Sequence, residues 1–292
     1  RNLCTVRSRL TVSPTWRTIG LARGAIRNEL AYARGHGLGN GWLNISGVFI
    51  GLSGDTALRE HAIDVLPDTG WSGFIEPATS FEEFAELAHL CAANDLRLHT
   101  IVSGRMDKVI PILEDVDKSL SLRGRRWVVE HIDVVTPDQV AALKRLEVFV
   151  TSIPVSTIWQ KGADMLDQPD DGNHVAPWRN LMEAGVPLAA GTDNIPYNPF
   201  YTLWVMMERA ERLQERVVGP DQRLTAEQGL RALTMEGARL SFEEDQRGSL
   251  EVGKLADLAV LSADPLSASP DDIKSTVSEL TVVDGVIVHE SL

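Results

Sequence analysis

Two histidines and one aspartate stand at corresponding points of three apolar runs. His99 falls late in LRLHTIV (96–102), His131 comes at the end of WVVEHI (127–132), and Asp193 closes PLAAGTD (187–193). Two imidazoles and a carboxylate suit Zn²⁺ or a similar borderline divalent ion. The chemistry would be hydrolysis by metal-activated water whose pKa is brought to about 7, with Asp193 taking its proton during attack on a carbonyl. Each residue also has a plainer reading. A strand-end histidine can be a hydrogen-bonded structural residue, and Asp193 in Gly-Thr-Asp-Asn can cap a turn.

A second group would hold substrate. Trp159, Trp178 and Trp204 lie close in sequence, with Arg179 and Arg209 near them, which suits an aromatic pocket with a cationic clamp. Trp204, in TLWVMMERA, reads equally well as the core face of a helix. His174 lies in the polar, Gly- and Pro-punctuated stretch 160–176, which is long enough for a functional loop. Substrate contacts are therefore expected from Trp159, His174, Trp178 and Arg179. The other histidines carry less: His36 suggests a Gly-rich turn, His61 and His89 helix surfaces, and His289 a solvated tail.

Positioning these groups requires strands that alternate with helices. Strand-like runs occur at 6–12, 46–52, 96–102, 127–132, 148–154 and 187–193. Helical patterns run through 81–94 after the N-cap Ser80, 137–146 after Thr136 with Pro137 in first position, and 226–240 after the capping box of Thr225 and Gln228. That alternation predicts an α/β fold with parallel strands, in which active-site groups gather at the C-terminal strand ends. Six strands are two short of a closed (β/α)8 TIM-type barrel, and the open edges would need cover, for instance from a homo-oligomer. The tail differs. Residues 247–262 and 280–288 read as β segments without helices between them, the second broken by Asp-Gly. Residues 1–245 are thus expected to form a partial barrel and 246–292 a small C-terminal β extension.

Composition narrows the function classes. The 292 residues carry a formal net charge of −13 with 43% hydrophobic residues, which argues against a nucleic-acid or anionic-membrane binder; the expected partner is a small-molecule substrate. No run of about 18 uncharged apolar residues occurs. Cys4 and Cys91 cannot form a disulfide framework and suit a cytoplasmic protein. The chain opens on Arg1 inside a strand-like run, which suggests that residues once preceded it.

VVEHI, AAGTDNIP and the long stretch TMEGARLSFEEDQRGSLEVGKLADLAVLSADPL (234–266) resemble the amidohydrolase superfamily, and within it the amidohydrolase 3 (YtcJ-like) family. The resemblance implies a metal-dependent hydrolase of C–N bonds in amides or cyclic amides. Its metal site would combine an HxH motif on the first strand, a carboxylated lysine on the fourth, histidines on the fifth and sixth, and an aspartate on the eighth. His99, His131 and Asp193 match the last three. The HxH pair has no counterpart, the lysine position in SGVFIGL holds Phe49, and Val102-Ser103 replaces the family's Gly-Asp turn. Those departures limit the expected cofactor to one divalent ion, zinc by preference, or to none. A metal-free relative that binds a small molecule without turnover, or an N-terminally truncated fragment, is the alternative.

Overall fold

The computed structural model describes residues 6–13, 16, 18–52, 79–102, 104–166, 172–193 and 196–291. Cys4, His61, Ser103 and residues 167–171 of the long loop lie outside the described residues. The chain divides into two compact units, one of residues 7–130 and 142–148, the other of residues 1–6, 131–141 and 149–292.

In the first unit the strands β1 (Ser8–Val12), β3 (Leu43–Phe49), β4 (Leu98–Ile101) and β5 (Val128–Glu130) are parallel neighbours in that order. A two-residue strand, β2 (Leu38–Gly39), pairs antiparallel with β3. The sequence reading missed β2 because Arg-Gly-His-Gly-Leu-Gly carries turn residues and no strand pattern; His36 lies exposed in its turn. Helix α1 (Ile19–Gly24) precedes β2, and helix α2 (Phe81–Ala93) precedes β4. Ser80 caps α2 through a reciprocal bond with Glu83, and the helix buries Phe84, Leu87, Ala88 and Cys91. Helix α3 (Met106–Ser119) buries Met106, Val109, Ile110, Leu113 and Val116, a helical spacing that carries it through Pro111.

β3 and β4 approach closely at Gly47. Its φ is +79°, and a β-carbon there would stand 2.7 Å from the Arg97 carbonyl, so only glycine fits. Arg97 is itself buried and donates to Ser46 Oγ at 2.9 Å. Burial, helped by Arg126, brings its guanidinium down to about 10, with Glu130 opposing.

Helix α4 (Pro137–Leu146) follows β5 over the predicted range, and Thr136 and Gln139 bond reciprocally at its start. The second unit continues with the parallel pair β6 (Phe149–Ser152) and β7 (Leu188–Ala190), with helix α5 (Trp178–Ala184) between them. Helix α6 (Pro199–Glu208) comes next, then α7 (Ala226–Leu233) and α8 (Met235–Leu240), which divide the single helix expected over 226–240 at Thr234. Among the described residues there are thus six parallel strands alternating with helices, the pattern of an incomplete (β/α)8 barrel.

The tail forms a three-stranded antiparallel sheet of β8 (Leu258–Leu261), β9 (Ser278–Val283) and β10 (Val286–Glu290). Asp284 and Gly285 both have positive φ, as a tight two-residue hairpin requires. One expectation is corrected here: a helix, α9 (Pro270–Ser275), separates β8 from β9, started by Ser269 as N-cap and Pro270 in first position. Among the described residues no helix is long and apolar enough to cross a membrane.

Candidate functional site

His99 sits on β4, opposite Phe49 of β3 and Val128 of β5 in the parallel registers. Glu130 lies two residues beyond Val128, and its Oε1 is 2.7 Å from His99 Nδ1. Burial pulls the His99 pKa below the ordinary histidine value; the bond to Glu130 opposes this and nearby Arg97 adds to it. The neutral ring then donates from Nδ1 to the carboxylate, leaving the Nε2 lone pair available. Nε2 is buried and has no hydrogen-bond partner. An unsatisfied buried polar atom costs roughly 1–3 kcal/mol, so the arrangement calls for a ligand on Nε2. A histidine that turns one nitrogen to a carboxylate and bares the other has the form of a metal-binding histidine with its outer partner. His99 and Glu130 therefore fit a divalent metal as one ligand and its support. Among the described residues, no group of three or more His, Cys, Asp or Glu side chains could hold a metal ion.

In the second unit His131 and Asp193 follow the ends of β5 and β7, and both adopt left-handed backbone, with φ of 54° and 51°. Such geometry is uncommon outside glycine and accumulates at functional sites. His131 is half-buried and Asp193 exposed. Asp133, two residues after His131 and not singled out in the sequence, has its carboxyl raised by burial, with Lys161 and His131 pulling the other way. The loop carrying His174 lies along this segment. The Val135 amide donates to the His174 carbonyl at 2.9 Å, and the Ala176 amide donates to the Asp133 carbonyl at 2.6 Å.

The expected aromatic pocket with a cationic clamp does not assemble as one group. Trp178 is fully buried, and its indole N–H donates to Ser152 Oγ, at the end of β6, at 2.9 Å. Its ring stacks under the Arg209 guanidinium, 4.4 Å from the ring centroid. Arg209 is equally buried and donates to the carbonyls of Val175 (2.7 Å), Ala176 (3.1 Å) and Val218. Trp178 and Arg209 are thus core groups that pin the His174 loop, because their polar atoms are consumed internally. Arg179 donates to the Arg223 carbonyl at 2.6 Å. Trp159 belongs to a separate aromatic row with Tyr201 and Trp204, which borders an open cavity.

A family model described as the amidohydrolase family matches residues 17–289. The chain belongs to the amidohydrolase family. One relative of this amidohydrolase is an N-substituted formamide deformylase from Arthrobacter pascens, 32% identical over 39% of the chain and 21% of the relative. The chain's matches to other curated relatives also span less than half of their length. Among solved structures, an uncharacterized metal-dependent hydrolase from Pyrococcus horikoshii OT3 aligns with a TM-score of 0.62 at 21% identity, over 91% of this chain and 52% of that one. An adenosine deaminase from Xanthomonas campestris with bound zinc aligns with a TM-score of 0.57 at 17% identity, over 98% and 61%. These likenesses carry the fold.

Proposed function

We propose that this amidohydrolase is a metal-dependent hydrolase that cleaves C–N bonds of amides or cyclic amides. The observation that carries the reading is the bare, buried Nε2 of His99 with Glu130 on the opposite nitrogen. Family membership, the formamide deformylase relative and the zinc-bound deaminase fold neighbour support the same class.

A divalent metal, zinc by preference, would supply the Lewis acidity that polarises a carbonyl and makes water nucleophilic near neutral pH. His99 would hold it through Nε2, and Glu130 fixes the ring and its tautomer. His131 and Asp193, each just beyond the end of a parallel strand, are further residues we propose for the hydrolytic chemistry. Asp193 is also the proposed proton carrier: its carboxylate accepts a proton from water and delivers it to the leaving nitrogen, so that an amine departs neutral. His174 is the proposed substrate contact on the loop that Arg209 pins, with Trp159, Trp178 and Arg179 as further proposed contributors to the substrate side. Trp178 acts in that role through the loop it packs under. Cytoplasmic location belongs to the same reading.

The test is amine release from N-formyl amines and ring opening of cyclic amides by the zinc-loaded chain. Turnover that disappears in His99→Ala supports the proposal; turnover that survives in His99→Ala removes its central residue.

A second reading, a metal-free relative that binds a small molecule, is favoured by one observation. Phe49, where the resemblance implies a bridging lysine, pairs directly with His99 in the β3–β4 register. Tight ligand binding to chelator-treated protein without turnover would favour it.

A further inference from the structure

The cavity beside Trp159 has a volume of about 770 Å³, and none of His131, His174 and Asp193 lines it. Its wall is aromatic. Trp159 and Tyr201 meet edge to face, with centroids 5.5 Å apart and planes at 82°, and Tyr201 and Trp204 lie 5.2 Å apart at 53°. Tyr201 and Trp204 come from α6, and the opposite wall comes from α9. The two helices are tied where Asn198, the N-cap of α6, donates to the carbonyl of Thr276 at 3.2 Å.

One aromatic face already holds a cation. Lys274 Nζ lies 5.0 Å from the Trp204 ring centroid and 2.9 Å from Asp271 Oδ1. Asp271, Tyr201 and Glu215 all favour the charged form of this amine, against the opposing effect of burial. A surface lysine ordinarily extends its ammonium into water. Here it lies back on an indole. The cavity therefore stabilises an ammonium group by two means, the negative face of a ring and adjacent carboxylates.

The charge balance extends the point. Glu208, Glu215 and Asp271 line the space, opposed by Arg212 and by Lys274 itself. Glu211 lines the space as well, its carboxylate accepting the backbone amides of Leu213, Gln214 and Arg216. Apart from its resident lysine, the cavity is lined by four acidic residues and one arginine around three aromatic rings.

We propose that this cavity is a binding site for a small organic ammonium ion, which stacks on Trp204 and Tyr201 in place of the Lys274 side chain. Lys274 is then a tethered occupant that competes with the ligand. Quaternary ammonium ions suit the site well, because their methyl groups meet ring faces and need no hydrogen-bond acceptor. The proposal does not rest on the hydrolytic reading, although Trp159 is shared with its proposed substrate side.

Calorimetric titration of the full chain with tetramethylammonium chloride, against sodium chloride at equal ionic strength, tests this. Wild type is expected to bind in the millimolar range. Lys274→Met, which removes the competing charge and keeps the apolar stem, is expected to bind about tenfold more tightly, and Trp204→Leu to lose binding. Lys274→Met is the variant least able to disturb folding, since its side chain is partly exposed and its loss spares the core. No tightening in Lys274→Met overturns the proposal. So does binding that persists in folded Trp204→Leu, or heat that sodium reproduces.

Discussion

His99 Nδ1 and Glu130 Oε1 stand 2.7 Å apart on adjacent parallel strands, while His99 Nε2 faces the interior without a partner. Glu130 thereby fixes which nitrogen carries the proton. Glu130→Gln keeps the shape but weakens the acceptor. Zinc affinity, measured by competition with a chelator, is expected to fall about ten- to hundredfold. An unchanged affinity would mean that the carboxylate does not support a ligand.

Burial of His99 makes stability depend on pH, with Glu130 opposing. The folded His99 pKa is lowered, so as pH falls below the ordinary value near 6.5 the unfolded chain takes up a proton that the folded chain does not. Stability contributed by His99 is present above about pH 6.5 and is lost as pH falls toward the folded value. His99→Asn is expected to flatten this part of the profile in denaturant titrations at pH 5 to 7.5. An identical slope in the variant would contradict it.

Sequence and structure agree most where short-range chemistry decides. Ser80 caps its helix as expected, Thr225 and Gln228 form the reciprocal cap their spacing implies, and five of the six parallel strands fall within the predicted runs, while β3 begins three residues before its run at 46–52. Glu130 was illegible because its role depends on register: it meets His99 diagonally across two strands, and nothing in VVEHI fixes that offset. Trp178 and Arg209 read as a substrate clamp because both types serve clamps and cores alike. Only the folded chain shows that carbonyls and a serine consume their polar atoms. Helix α3 hid behind Pro111, a residue that ordinarily ends a helix, although its apolar spacing continues on both sides.

The Arg209–Trp178 stack should dominate the stability of the second unit. Burial brings the Arg209 guanidinium down to about 9, and nearby Arg223 adds to the effect. Arg209→Met would leave the carbonyls of Val175, Ala176 and Val218 short of a donor and cost on the order of 3 kcal/mol. Arg209→Lys, with one forkless ammonium, should recover part of that. Urea unfolding of the two variants checks the order. A Met variant as stable as wild type would show that the guanidinium does not hold the loop.

Asp193 is the residue whose loss should separate chemistry from folding. It is exposed beyond β7, so Asp193→Asn should leave the circular dichroism spectrum unchanged while lowering turnover roughly 10²–10⁴-fold. Turnover within a factor of a few of wild type would exclude it as proton carrier.

The most direct measurement is the zinc content of the purified, zinc-loaded chain by elemental mass spectrometry, beside His99→Ala. Close to one zinc per folded wild-type chain, lost in folded His99→Ala, is the predicted result. A folded wild-type chain that retains no zinc, or a His99→Ala chain that retains as much as wild type, would contradict a metal on His99 Nε2.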